Sequence, residues 1–271
     1  MPELPEVETT RRGLEPHLTG HQITQVVIRN PQLRWPIPRI LIQALPGQCI
    51  TRLSRRGKYL IAQCSNGALI MHLGMSGSLR VVPLDTPAGK HDHFDLVLDS
   101  GKIMRLRDPR RFGAILWTET DALRHPLLAQ LGIEPLAPEF DGDWLYAATR
   151  GRSVAIKQTL MDSHLIVGVG NIYANEALFR AGIRPTRAAG SVSRKRYNTL
   201  AGAIRETLSL AIAAGGSSLR DFVNSEGLPG YFQQHYNVYG RAAQPCRQCG
   251  ATLNHIRQGQ RSTFFCPKCQ T

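Results

Sequence analysis

Residues 59–73 read Tyr59-Leu-Ile-Ala-Gln-Cys-Ser-Asn-Gly-Ala-Leu-Ile-Met-His-Leu73. Two apolar runs, Tyr59 to Cys64 and Ala68 to Leu73, flank Asn66-Gly67. Asn-Gly tolerates the positive φ angles of a tight hairpin turn, so the stretch predicts two antiparallel strands. Similar short runs surround it: Ile23 to Ile28, Ile50 to Leu53, Ser78 to Val82, Phe94 to Leu98, Ile103 to Leu106 and Ala114 to Trp117. Ser100-Gly101 marks a second hairpin. Many short strands joined this way predict an antiparallel sandwich or barrel. Ahead of them, Pro5 with Glu6 and Glu8 opens a helix to about Leu18, which Gly20 stops.

Downstream the period changes. A stretch rich in Pro, Gly and acids, from about Leu123 to Asp143, is expected to link two parts of the chain. Tyr197, Leu200, Ile204, Leu208 and Ala211 recur at helical spacing, and Gly215-Gly216 ends that helix. Another pair of helices flanks Leu165 to Gly170. The expected fold class is α+β, with expected bounds of 1–134 for the sandwich domain, 135–150 for a linker, 151–240 for a helical domain and 241–271 for a terminal ribbon.

The chain has 271 residues, 42% of them hydrophobic, so it can bury a sizeable core. Lys and Arg number 33 against 20 Asp and Glu, a net +13. A balance this basic points to a polyanion, with nucleic acid first. The charge is not gathered on one amphipathic helix, which argues against a membrane surface. No apolar run approaches the ~18 residues of a spanning helix. The acidic start lacks the basic and apolar pattern of a secretory signal, so the expected compartment is the reducing cytosol.

Four of six cysteines crowd the C-terminus as Cys246-x2-Cys249-x16-Cys266-x2-Cys269. Two CxxC knuckles at this separation can close a thiolate tetrahedron around one structural zinc. Such a site has no open position for catalysis. The residues between the knuckles can form a hairpin whose tip carries Arg257 and Arg261. Cys49 and Cys64 lie in strand-like segments and read as buried thiols.

The chain opens Met1-Pro2-Glu3-Leu4-Pro5-Glu6. With Met1 removed, Pro2 would present a secondary amine, a nucleophile with two carboxyls beside it. The same residues also read as a plain helix start. Other patterns are similarly two-sided. Val167-Gly168-Val169-Gly170-Asn171 makes a turn before a helix, with Asn171 as its N-cap, and suits a phosphate. Arg55-Arg56-Gly57-Lys58 opens a strand, where Lys58 guards an edge, contacts phosphate or moves a proton. In Asp108-Pro109-Arg110-Arg111-Phe112-Gly113, Phe112 either packs inward or serves as a base-stack wedge. Met75, in a glycine-flanked turn, joins that wedge or fills the core. His91-Asp92-His93 offers too few ligands for a metal and reads as a loop facing DNA or solvent.

Together these residues resemble the bacterial formamidopyrimidine-DNA glycosylases. The resemblance runs end to end: PELPEVET, RGKYL, HLGMSGSLR, KHDHFDLV, DPRRFG, VGVGNIYANEALF, PGYF, VYGR and the terminal zinc ribbon. It implies an N-terminal β-sandwich with an N-terminal helix, a helical domain with a helix–two-turn–helix element, a zinc-ribbon hairpin, and DNA in a basic cleft between the lobes. The implied activity is excision of oxidised purines such as 8-oxoguanine and formamidopyrimidines from double-stranded DNA. Strand cleavage at the abasic site follows by β,δ-elimination.

In that scheme Pro2 attacks C1′, Glu3 is the catalytic acid and Glu6 an acid held near it. Lys58 assists β-elimination, and Arg261 assists δ-elimination and grips phosphate. Asn171 binds phosphate, His91 and Arg152 contact DNA, and Met75, Arg110 and Phe112 fill the gap left by the flipped base. The resemblance implies one structural zinc, neither a redox cofactor nor a catalytic metal, and a cytoplasmic monomer. The segment from Ser217 to Tyr231 is the expected closing loop. Leu4 and the Arg110–Phe112 wedge argue against an endonuclease VIII-like specificity for oxidised pyrimidines. A non-catalytic DNA-binding protein would need neither Pro2, Glu3 nor Lys58.

Overall fold

The structure is a computed structural model, and it describes residues 1–217 and 231–271. The chain divides into two compact units. One holds Met1–Gln130 with the described residues of Ala214–Tyr231, the other Leu131–Ala213 with Phe232–Thr271.

The first unit begins with helix α1 (Leu4–Leu18), whose end at Thr19-Gly20 matches the sequence expectation. Strands β1 (Ile23–Ile28), β2 (Ile50–Arg56), β3 (Tyr59–Cys64), β4 (Gly67–His72), β5 (Ser78–Pro83), β6 (Asp92–Leu98), β7 (Lys102–Arg107) and β8 (Ala114–Thr118) follow, with a short helix α2 (Leu41–Ala44) after β1. They form two antiparallel sheets, ordered β1-β6-β7-β5 and β2-β3-β4-β8. The hairpin read from residues 59–73 is present, with Ile61 opposite Ile70 and Cys64 opposite Gly67. A core of Leu60, Leu69, Met71, Phe94, Leu96 and Met104 is buried, and α1 adds Val7, Leu14 and Leu18.

Three local readings differ. β2 runs on to Arg56, because Gly57 (φ +58) lets Gly57-Lys58 form a two-residue turn. Lys58 therefore sits at a hairpin tip, not inside the start of a strand. Asp92 and His93 belong to β6 and are buried, so only His91 of that motif stays accessible. Cys64 is buried, which pushes its thiol up to about 11, but Cys49 is only half-buried at the sheet margin.

The second unit contains α4 (Gly142–Thr149), α5 (Ile156–Leu160), α6 (Asn171–Arg180) and α7 (Arg194–Ala213); a short α3 (Pro126–Ala129) closes the first unit. Residues 142–149 of the stretch read as a linker are thus helical, and Asp141 caps them by accepting the Trp144 N–H at 2.7 Å. The terminal ribbon pairs β9 (Asn254–Gln258) with β10 (Arg261–Phe265). Of the expected closing loop, residues 218–230 lie outside the described residues.

Gly142 packs where α4 starts against α7, and a Cβ there would run into the Asn198 backbone. Gly142→Ala is expected to lower stability by about 1–3 kcal/mol through overpacking. A urea midpoint equal to that of the parent would contradict this.

Candidate active site

Pro2 is buried, as are Glu3 at 3% exposure and Glu6 at 0%. The Glu6 carboxyl does two things at once. One oxygen accepts the Glu3 N–H at 2.8 Å, capping α1. The other accepts the Ser217 N–H at 2.7 Å and its hydroxyl at 2.9 Å. The peptide that carries Pro2 and Glu3 is therefore fastened both to its own helix and to a segment far along the chain.

Lys58 is fastened to the same helix by a different route. Arg55 pairs with Glu8 on α1 at 3.2 Å and also donates to the Gly57 carbonyl at 2.9 Å, inside the turn that presents Lys58. Arg11 on α1 donates to the Leu53 carbonyl of β2 at 3.3 Å. Burial raises the Glu8 carboxyl, but hydrogen bonds from Arg11 and Arg12 outweigh it and hold the group below its ordinary value. One guanidinium thus links the helix that follows Pro2 to the turn carrying Lys58. Arg55 was legible only as part of a basic run.

The third group is built from two turns. Met75 is half-buried, whereas Arg110 and Phe112 are exposed. Phe112 does not pack inward; it is 43% exposed, and the Arg110 guanidinium lies 5.0 Å from its ring centre. Asp108, fully buried, holds both turns. Its carboxyl accepts the Ser76 hydroxyl at 2.8 Å and the Gly113 N–H at 2.8 Å, and Ser76 Oγ accepts the Arg110 N–H at 3.1 Å. The Asp108 carbonyl lies 2.9 Å from His93 Nε2. Gly74 (φ +60) lets the first turn approach so closely that a Cβ would strike the Phe112 backbone. Arg111 adopts φ 57, a conformation uncommon outside glycine, and the Asp108 network holds the loop that contains it. Asp108 stands in plain view in the DPRRFG motif, yet its role as anchor needed the structure.

In the second unit Asn171 is the first residue of α6, and Gly170 takes the N-cap position. The expected cap is therefore corrected: with glycine in the extended cap conformation, the Asn171 amide turns outward and donates to the Ser262 carbonyl at 3.1 Å. Arg152 is exposed and meets Asp162 at 3.6 Å. Arg261 is exposed at the start of β10, opposite Gln258. His91 is half-buried, and its backbone carbonyl accepts the Asp108 N–H at 2.9 Å. Buried Glu176 on α6 accepts the backbone N–H groups of Asn237, Val238 and Tyr239 at 2.8–3.0 Å, which seats the approach to the ribbon.

Cys246, Cys249, Cys266 and Cys269 bring their sulfurs within 4.8 Å of one another. The pairs Cys246–Cys269 and Cys249–Cys266 are 3.9 and 3.4 Å apart. A zinc ion with sulfurs at about 2.3 Å needs a tetrahedron with edges of roughly 3.8 Å, so the four fit zinc. Among the described residues this is the one such cluster of metal-ligating side chains.

Residues 1–115 match the formamidopyrimidine-DNA glycosylase N-terminal domain, 131–223 its H2TH domain, and 243–271 the zinc finger found in FPG and IleRS. The chain belongs to the formamidopyrimidine-DNA glycosylase family. It is 58% identical over 270 residues to the formamidopyrimidine-DNA glycosylase of Thioalkalivibrio sulfidiphilus and 57% to that of Stutzerimonas stutzeri, covering all of both chains in each case. The family's Thermus thermophilus crystal structure superposes with a TM-score of 0.89 at 38% identity, covering 99% of this chain and 98% of that one. A Lactococcus lactis family member in complex with abasic-site DNA gives 0.91 at 35% identity, covering 99% of each chain. The family's zinc finger and the four sulfurs together assign one structural zinc.

His72, at the end of β4, accepts the Gly74 N–H through Nδ1 at 3.0 Å and so fixes the turn of Met75. Burial pushes its imidazole down to about 4, and the nearby Lys58 and Arg34 charges add to this. Because the folded value lies below the ordinary ~6.5, the neutral ring favours the folded state. Its contribution is fully present above pH ~6.5 and is lost as pH falls toward 4. The parent protein should lose more stability over that range than His72→Asn, measured by urea unfolding at several pH values. Parallel losses would contradict this.

Proposed function

We propose that Pro2 is the nucleophile of this chain and that Glu3, Lys58 and Arg261 serve it in sequence. The chain is a DNA glycosylase of base-excision repair with abasic-site lyase activity, and it acts on double-stranded DNA carrying oxidised purines. The observation that carries the residue assignment is the fastening of Pro2 and Glu3 through Glu6, beside a helix that Arg55 ties to the turn of Lys58. A reaction centre gains most when its groups are held in place before the substrate arrives.

A base stacked in a duplex is out of reach, so the damaged nucleotide must leave the stack, at a cost of a few kcal/mol. Met75, Arg110 and Phe112 fill the gap as one unit, because Asp108 holds both of their turns. Asn171, Arg152 and His91 contact the sugar-phosphate backbone, and the net charge of +13 favours the approach. With Met1 removed, the Pro2 nitrogen attacks C1′ and the base departs. The amine then loses its proton and, with Glu3 as the acid, the C1′–O4′ bond breaks, which opens the sugar and leaves an iminium. The resulting iminium draws electrons from C2′, so that proton leaves with help from Lys58 and the C3′–O bond breaks. Glu6, whose oxygens already accept three hydrogen bonds, holds the centre in place. Zinc supplies fold to the ribbon, and Cys246, Cys249, Cys266 and Cys269 hold it. No helix among the described residues is long and apolar enough to cross a membrane. We place the protein in the cytoplasm as a monomer acting on nucleoid DNA.

Borohydride added to a duplex with 8-oxoguanine opposite cytosine is expected to weld DNA to Pro2, with Met1 absent from the crosslinked peptide. Pro2→Gly should abolish strand cleavage. A crosslink elsewhere would overturn the assignment, and one formed only on oxidised-pyrimidine DNA would favour the endonuclease VIII-like specificity.

Asp108→Ala removes the anchor of the wedge. It should slow excision of a base-paired lesion about tenfold while sparing cleavage of a preformed abasic site. Equal losses on both substrates would show that Asp108 does not act through the wedge.

A further inference from the structure

Lys157 lies on α5, and it is 1% exposed. An ammonium that deep is tolerated only where its donors find acceptors. Its Nζ donates to the Ser262 carbonyl at 3.0 Å and to Thr263 Oγ1 at 2.7 Å, both on β10. Thr263, itself fully buried, lies 3.4 Å from Gln258 Oε1 on β9. Asn171 shares the Ser262 carbonyl, and Asn175 accepts the Phe264 N–H at 2.8 Å. The hairpin tip, Gly259-Gln260, has positive φ at both residues. A Cβ on Gly259 would stand 2.7 Å from Nε2 of Gln158, the residue after Lys157. Lys157 therefore grips the strand just after Arg261, and its neighbour Gln158 stands against the tip just before it.

We propose that Lys157 is a positioning residue for Arg261, which sets where that guanidinium stands during the second strand cut. The proposal rests on the role given to Arg261 above. In that step a C4′ proton leaves to a base, and the electrons shift into the conjugated iminium on Pro2. The C5′–O bond then breaks, and the phosphate departs with the electron pair. A guanidinium beside that phosphate stabilises the charge it gains. Lys157 acts through the strand: it holds the carbonyl of Ser262, the residue after Arg261. Its loss leaves the charge of Arg261 intact and displaces it. Base excision and the first cut depend on Pro2, Glu3 and Lys58, so the effect appears in the partition between products.

The test uses the full-length, zinc-loaded protein and a duplex with a preformed abasic site. Gels separate the β product, ending in an unsaturated aldehyde, from the δ product, ending in a 3′ phosphate. Lys157→Met is expected to lower the δ-to-β ratio about tenfold, while zinc content and the rate of borohydride crosslinking stay at parental levels. Thr263→Val, which removes one acceptor without changing side-chain volume much, should shift the ratio the same way, and Thr263→Ser should restore it. If Lys157→Met does not fold, the Thr263 pair decides. Arg261→Ala run in parallel separates the two ideas. An unchanged ratio there would sink the reading of Arg261 itself. A fall there with unchanged ratios in Lys157→Met and Thr263→Val would overturn the positioning role alone. Zinc loss or slowed crosslinking in proportion to the lost δ product would assign Lys157 a purely structural role.

Discussion

The buried carboxyl of Glu6 is the contact on which the chemistry proposed for the first unit depends. It accepts a backbone N–H three residues back and two donors from Ser217, 211 residues on. A buried acid left without these donors would be strongly unfavourable, and so would each donor left without the acid. The network therefore forms whole or not at all. That property suits the role proposed for Pro2, since unanchored terminal segments fray by default. Gly216 makes the approach feasible: a Cβ there would stand 3.2 Å from the Glu6 side chain.

The same logic recurs at other groups. Arg55 ties helix to turn, Asp108 ties turn to turn, and Glu176 and Lys157 hold the ribbon and its approach to their helices. Each of these charged side chains bonds at least one backbone group, and Arg55, Asp108 and Lys157 do so within three residues of Lys58, Arg110 and Arg261. Loops carry function because they are exposed, and exposure alone would leave them mobile. Under the roles proposed above, anchoring the backbone beside Lys58, Arg110 and Arg261 holds in place the segments that present them to the substrate.

Much of this was legible in the chain. Asn66-Gly67 and the alternating runs predicted the hairpins, because period and turn chemistry are local properties. The four cysteines announced the ribbon through spacing alone. What could not be read were partners distant in sequence. Nothing near Glu6 points to Ser217, and nothing near Lys157 points to Thr263. Asn171 shows how a local rule fails: its residue type suits a cap, but Gly170 took the cap, and the Asn171 amide found a carbonyl 91 positions away. His93 shows the same override, drawn from a polar motif into a strand by the carbonyl of Asp108.

These anchors also bear on charge. Glu6, Asp108 and Glu176 accept hydrogen bonds from backbone N–H groups, hydroxyls and an amide. Asp95 is the contrast: it takes Arg105 through two contacts at 2.9 and 2.8 Å and Arg29 at 2.7 Å, deep in the β6–β7 ladder. Where an acid neutralises an arginine, that positive charge no longer reaches a phosphate. Where dipoles satisfy the acid, the neighbouring cation keeps its field. The turns held by Asp108 and the approach to the ribbon held by Glu176 use the second arrangement, so Arg110 sits two residues from a buried acid whose carboxyl accepts a hydroxyl and a backbone N–H. A basic protein that must hold loops still and yet attract DNA is best served by acids turned inward onto backbone donors.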